Sequence, residues 1–323
     1  MKLKMFRSHR NQGQRLPLRA SSQIGPFLFS MLGLCVAFGS GCATRGSISS
    51  LHPAGLKLEP VTSSEPVMLR LKGELGEVES IQYLSRSVIR TFDGMKEVSS
   101  QTEDVRFRSQ GEVVAVDEKA GRLTQALSVI AKEGNANLHD FAMPEIGERL
   151  LITSETDGRV VKAGDKPTSS IFYVPPISLP RQPVQVGDTW PLQARWITDD
   201  GVPFALEMVS ILHGLYKCGV GLGVCADIEI SGNVVMQTSA LPRPIQALSF
   251  TSEWKGRLLF SLEQGTVLWS RVNSDERFVS DPARRDVNSC LEAVLVAPES
   301  LRLPGVSEPT CQAARTSSDA TAL

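Results

Sequence analysis

From Pro66 to about Ser280 the chain repeats one device: short runs of alternating apolar and polar residues, each stopped by a turn signal. A strand with one buried face requires that period of two, so the pattern predicts a mainly β protein built from antiparallel sheets. Val113–Val116 runs into Asp117-Glu118-Lys119-Ala120-Gly121 and leaves as Arg122–Ile130. Leu150–Thr156 turns at Asp157-Gly158 and returns as Arg159–Lys162, and Trp190–Thr198 turns at Asp199-Asp200-Gly201 and returns as Val202–Leu212. Glycine behind an acidic residue suits such turns because it takes positive φ without a Cβ clash.

The cleanest hairpin is Gly256–Val272. Leu258, Phe260 and Leu262 alternate with Arg257, Leu259 and Ser261, Glu263-Gln264-Gly265 reverses the chain, and Val267 and Trp269 are expected on one face. An earlier segment, from Gly111 to Gly121, has a similar outline, and the pair suggests two related β halves, 66–175 and 176–298. Between them Ile171–Trp190 carries Pro175, Pro176, Pro180 and Pro183, which exclude helix and central strand and leave an extended connector. Its end, Pro183-Val184-Gln185-Val186-Gly187-Asp188-Thr189-Trp190, resembles a P-V-x-V-G-D-x-W motif of poorly characterised bacterial envelope proteins. Those proteins have two β halves joined near the motif. The resemblance covers roughly residues 70–280, implies the same architecture, and brings no activity with it. Physically the motif is a strand entry: proline stiffens, Gly-Asp turns, and Trp190 anchors in the core.

One C-terminal helix is expected. Asp281 can cap it, Pro282 suits its first position, and Val287, Cys290, Leu291, Val294 and Leu295 recur at helical spacing. The alternative is a final strand over Leu291–Ala297. Residues 299–323 are polar and are expected to form a disordered tail, apart from any restraint through Cys311.

The N-terminus reads as an address. Lys2, Lys4, Arg7, Arg10, Arg15 and Arg19 precede an apolar run, Ile24–Phe38, and no acidic residue stands before Cys42. The order of basic, apolar and small residues is that of a secretory signal, over residues 1–41. The run is 15 residues long, short of the ~20 that cross a bilayer. Gly39-Ser40-Gly41-Cys42 resembles the lipobox of bacterial lipoproteins, although Gly39 stands where an aliphatic residue is usual. The resemblance implies acylation at Cys42 and, with Ala43 next, delivery to the periplasmic face of the outer membrane. Residues 42–65 are then the lipidated N-terminus and a flexible Ser-, Pro- and Gly-rich tether.

Removing the signal changes the charge. The chain has 34 basic and 35 acidic residues, and the signal takes six basic ones, leaving 28 against 35, a net of −7. No Lys/Arg run remains to follow a phosphate backbone, so nucleic acid is not an expected partner. Of the six cysteines, Cys35 leaves with the signal and Cys42 is the lipid site; Cys218, Cys225, Cys290 and Cys311 remain. An even number in an oxidising compartment implies two disulfides, with three pairings open; the sequence-local one, Cys218–Cys225 with Cys290–Cys311, is preferred. The spacings are not those of zinc knuckles, and neither metal nor cofactor is expected.

Catalytic patterns are absent. His52 lies in the tether, His139-Asp140 in a polar segment, and His213 at the end of an apolar run; no G-x-S-x-G or H-E-x-x-H occurs. Gly219, Gly221 and Gly223 lie between cysteines inside a hairpin, without the strand–turn–helix context of phosphate binding. The expected role is therefore that of a membrane-anchored periplasmic lipoprotein serving as a non-catalytic binding or scaffold domain for an envelope protein. A carrier or sensor of acyl chains or other hydrophobic ligands comes second, and an envelope hydrolase third.

Overall fold

Eight of the observed strands are 12 to 22 residues long, about twice the usual strand. Strands of that length must twist, and a sheet of them rolls rather than lying flat. The computed structural model describes residues 56, 58–63, 65–198, 200–219, 221–237, 248–280 and 282–311. Among these the elements are β1 (Glu59–Pro60), β2 (Val78–Asp93), β3 (Lys96–Asp117), β4 (Arg122–Glu133), β5 (Leu150–Glu155), β6 (Val160–Ala163), β7 (Thr189–Ile197), β8 (Pro203–Lys217), β9 (Val224–Met236), β10 (Ser249–Ser261), β11 (Thr266–Ser280) and β12 (Ala283–Ala297). Short 3-10 turns at Leu138–Phe141, Ile171–Tyr173 and Glu299–Leu301 complete them, and no α-helix occurs among the described residues.

All twelve strands form one antiparallel sheet in the order β1-β8-β9-β10-β11-β12-β2-β3-β4-β5-β6, with β7 also on β8. It consists of two meanders, β2 to β6 and β8 to β12, stitched together by the β12–β2 ladder from Ala283↔Asp93 to Ala297↔Ser80. The two edges are then drawn together. The turn at Ile171–Tyr173 packs on both β6 and β7, and the Ile197 amide donates to the Ser169 carbonyl. A strap, residues 66–76, ties the sheet at one pole. It bridges Val67 to Val184, and its Leu71 and Lys72 amides donate to Thr156 and Gly265 in the β5–β6 and β10–β11 turns. Gly158, at φ +89°, fits against the connector so closely that a Cβ would stand 2.2 Å from the Ile177 carbonyl oxygen.

The inner face holds the main core. Trp190, Phe204, Met208, Ile228, Trp254 and Phe260 are buried under the connector residues Val174, Ile177 and Leu179. Further round the sheet, Tyr83 and Phe107 stack at 4.5 Å under the 136–143 loop, with Leu138 and Phe141 closing over them. On the outer face Leu259, Leu268, Trp269 and Val294 pack under Leu301, Leu303 and Val306.

Four expectations are corrected. The C-terminal helix is β12, a central strand between β11 and β2; with both faces covered it loses its alternation, and its apolar spacing mimics a helix. Residues 299–311 are not a loose tail but a segment seated on the outer face, with Leu301, Leu303, Val306 and Cys311 at most 6 % exposed; 312–323 lie outside the described residues. The tether is already ordered at β1, where Glu59 and Pro60 pair with Lys217 and Tyr216. Val267 and Trp269 lie on opposite faces, because a bulge where Leu259 pairs Trp269 and Phe260 pairs Val267 inverts the alternation.

Candidate functional site

The inner face under the connector is the candidate site. Pro176, Ile177 and Ser178 roof a cavity of about 40 Å³ whose floor includes Met208, Ile230, Trp254, Leu258 and Ser270. Small-molecule sites are several hundred Å³; this one has space for water only. Trp190 is 6 % exposed and its indole Nε1 donates to the Ser178 carbonyl at 2.8 Å, so the tryptophan of the P-V-x-V-G-D-x-W segment is a core anchor that pins the roof.

Beside the cavity the register lines up a polar row. Trp254 faces Ser274, Ser274 faces Ser289, Ser289 faces Ser87, and Ser87 faces Glu103. The Ser87 and Ser289 hydroxyls bond at 2.7 Å. In the next row Glu276 is 4 % exposed; Ser274 donates to its Oε1 at 2.7 Å, and its Oε2 has no hydrogen-bond partner among the described residues. Burial pushes its carboxyl well above the usual carboxylate range, Asp275 adds to the rise, and the Ser274 bond and Arg285 oppose it. Tyr83 is pushed up to about 12, mainly by burial.

The outer face carries its charges in pairs. Arg257 and Asp227, 3 % and 0 % exposed, form a two-pronged bridge, Nε to Oδ1 at 2.9 Å and Nη2 to Oδ2 at 2.7 Å. Glu292, 1 % exposed, accepts from Trp269 Nε1 at 2.7 Å, Arg271 Nη2 at 2.9 Å and the Thr310 amide at 2.8 Å. Buried ions persist when paired and hydrogen-bonded in this way. The sequence marks Arg257 and Trp269 only as hairpin positions and gives no sign of either ion group. Their partners stand 18 to 30 positions apart, and only the strand register brings them together.

At the strap pole a further ion cluster joins three segments. Asp157 accepts from the Arg159 amide and Nε and from Arg181 Nε. Burial works to raise its carboxyl, but the Arg159 and Arg181 bonds outweigh it and hold it below the ordinary range. The Arg70 guanidinium donates to the carbonyls of Leu69, Pro180 and Arg181. The strap, the connector and the β5–β6 turn are clipped together here.

The residues named from sequence fall as follows. Cys218 is bonded to Cys225 and Cys290 to Cys311, with Cα separations of 5.8 and 5.9 Å. Cys42 and His52 lie outside the described residues. His139 Nε2 meets Glu148 Oε2 at 2.9 Å and packs edge-on to Phe172; His213 is exposed where β8 bulges between Leu212 and Gly214. Gly219 and Gly223 adopt positive φ in the Cys218–Cys225 loop, packed on Pro304 and Glu263. Among the described residues no group of three or more His, Cys, Asp or Glu is placed to hold a metal, and no helix is long and apolar enough to cross a membrane.

No family model and no curated protein matches this chain. Among solved structures it is similar to lipovitellin, described for its lipid–protein interactions, at 10% identity over 75% of this chain, with a TM-score of 0.35. The chain spans only 26% of that protein's length. A mutant Rh. blastica porin aligns at 10% identity over 67% of this chain and all of its own, TM-score 0.27. The DynF protein of the dynemicin pathway of Micromonospora chersina aligns at 8% identity over 84% of this chain and 98% of its own, TM-score 0.21. These are distant β-sheet likenesses, and no function passes through them.

Proposed function

We propose that this chain is a lipid-anchored protein of the bacterial envelope, held by Cys42 at the periplasmic face of the outer membrane, whose β domain binds a partner and does not turn it over. The observation that carries the reading is the N-terminal order of six basic residues, an apolar run and Gly39-Ser40-Gly41-Cys42. Two disulfides support it, since such bonds belong to oxidising compartments. Leu56 and Leu58 pack on the outer-face cluster that holds Cys218, Cys225 and the 301–306 segment. An anchor at Cys42 therefore leaves the domain from this side, on a tether of 14 residues before Leu56 that reaches at most ~50 Å.

The filled inner face favours a partner engaged at the surface. A second reading, a carrier of acyl chains, is supported by the mostly apolar lining of the cavity under Pro176–Ser178; it requires the roof to lift. The halves 66–175 and 176–298 are proposed as related, on the two glycine-bounded hairpins and the P-V-x-V-G-D-x-W segment.

The test is to produce the chain in a bacterial envelope, extract it under denaturing conditions and examine it for lipid by mass spectrometry, with in-cell crosslinking alongside. The expected result is no stoichiometric free acyl chain, a reproducible envelope crosslink, and no turnover of glycan, ester or peptide. Copurified acyl chains would put the carrier first. Turnover abolished by one carboxylate or histidine substitution would overturn the binding reading.

A further inference from the structure

β3 is much longer than its outer neighbour. The β3–β4 ladder ends at Arg106↔Glu133, yet β3 runs on to Lys96, paired with β2 down to Asp93↔Lys96. Gly134, at φ +94°, turns the chain away beside Asp104, where a Cβ would lie 2.9 Å from the Asp104 carbonyl oxygen. From Lys96 to Glu103, among the described residues, β3 therefore has no strand on its outer side. The other edges are short or bridged: β6 has four residues, β7 is tied to Ser169, and Ser128–Glu133 of β4, beyond the β5 ladder, meets the following loop, where Lys132 Nζ donates to the Ala136 carbonyl at 2.9 Å. A strand edge presents unpaired backbone N–H and C=O groups, a template for another strand, and proteins usually guard it with proline, lysine or bulges. Here there is no proline, the bulge is at Val98 near the tip, where Thr91 pairs Ser99 and Phe92 pairs Glu97, and Lys96 faces Asp93 within the hairpin. The centre, Ser99-Ser100-Gln101-Thr102, is uncharged and exposed.

Two carboxylates flank that centre. Glu97 is exposed; Glu103, half-buried, accepts from Gln101 Nε2 at 3.1 Å and lies in the field of the Arg285 guanidinium, whereas Asp104 is taken by Arg86, at 2.8 and 2.5 Å. Resting on the binding-domain reading above, we propose that this edge docks an extended segment of a partner polypeptide, added as a new strand, whose uncharged β-branched centre is flanked by basic residues that meet Glu97 and Glu103. Main-chain hydrogen bonds supply affinity, and the flanking charges set the register. A second copy fits less well: centred on Gln101, antiparallel self-pairing sets Glu103 against Ser99, not against a cation, and the bulge at Val98 breaks the ladder beyond it.

The test uses the full chain in detergent and three fluorescent peptides, read by anisotropy: a Thr/Val strand with lysines at both ends, its glutamate-ended counterpart, and the lysine peptide N-methylated at alternate amides. The lysine peptide should bind, N-methylation should abolish binding, and Glu97→Lys/Glu103→Lys should reverse the preference toward the glutamate peptide by about tenfold or more. Both positions are on the rim of the sheet, and an unchanged melting temperature shows that the variant folds. Binding indifferent to N-methylation or to charge reversal, or no binding, overturns the proposal. So does a concentration-dependent dimer lost in Glu103→Lys, which would give the edge to a second copy. An in-cell envelope crosslink that persists in the double variant would sink this edge and leave the binding-domain reading standing; no crosslink in either chain would sink both.

Discussion

Replacing Asp227 with alanine should be among the most damaging single changes in the domain. Asp227 and Arg257 are cross-strand neighbours on β9 and β10, 0 % and 3 % exposed, joined at 2.9 and 2.7 Å. Removing one member of such a buried pair leaves the other charge in a poor solvent and costs about 3–5 kcal/mol. Glu229 stands opposite Arg257 in the register and is the neighbour to which the guanidinium can swing, which sets the effect toward the lower figure. At an m-value of about 3 kcal/mol/M, the urea midpoint should fall by roughly 1–1.7 M. The paired replacement, Asp227→Leu with Arg257→Met, removes both charges and should restore most of the loss, because a buried ion pair contributes little net stability over an apolar pair. Equilibrium urea unfolding followed by tryptophan fluorescence measures all of these variants. A loss below about 1 kcal/mol in Asp227→Ala would refute the account of the outer face, as would a double variant less stable than the single.

Glu276→Gln should change the pH dependence of stability. The folded carboxyl is held well above its ordinary value by burial, so its contribution is fully present below the unfolded pKa of about 4.3 and is lost as pH rises through the folded value. The variant should therefore gain on the wild type as pH rises above about 4.5; parallel melting curves at acid and neutral pH would contradict a carboxyl raised by burial. Cys311→Ser opens a disulfide spanning 21 positions, for which chain entropy predicts a loss of about 3.4 kcal/mol. It should also free the 302–311 segment, so that trypsin cuts after Arg302 faster than in wild type; an unchanged cleavage rate would show that the apolar contacts of Leu303 and Val306 hold the segment without the bond.

The hairpins were legible because turn chemistry is local. Asp157-Gly158, Asp117 to Gly121 and Glu263-Gln264-Gly265 each reverse the chain where the residues say they should. The cysteine pairs were legible for the same reason. β12 was legible only as the alternative strand over Leu291–Ala297, behind the expected helix, since a central strand with both faces buried loses the period of two. Leu301, Leu303 and Val306 are too few and too separated to mark 299–311 as packed, and a single bulge was enough to reverse Trp269. The charged groups were the least readable. Asp227 becomes a partner of Arg257, and Glu292 of Trp269, only after a dozen strands have chosen their registers. Glu276, within an exposed-looking Asp275-Glu276-Arg277 run, gave no sign that alternation would turn it inward.

The central claim, a binding domain tethered by lipid, is tested most directly by feeding cells labelled palmitate and comparing wild type with Cys42→Ser. The wild-type chain should carry the label and sediment with the membranes. Cys42→Ser should carry none and leave the membrane fraction, with both disulfides still formed. Equal labelling of the two chains, or release of the wild-type chain as a soluble species, would contradict the account.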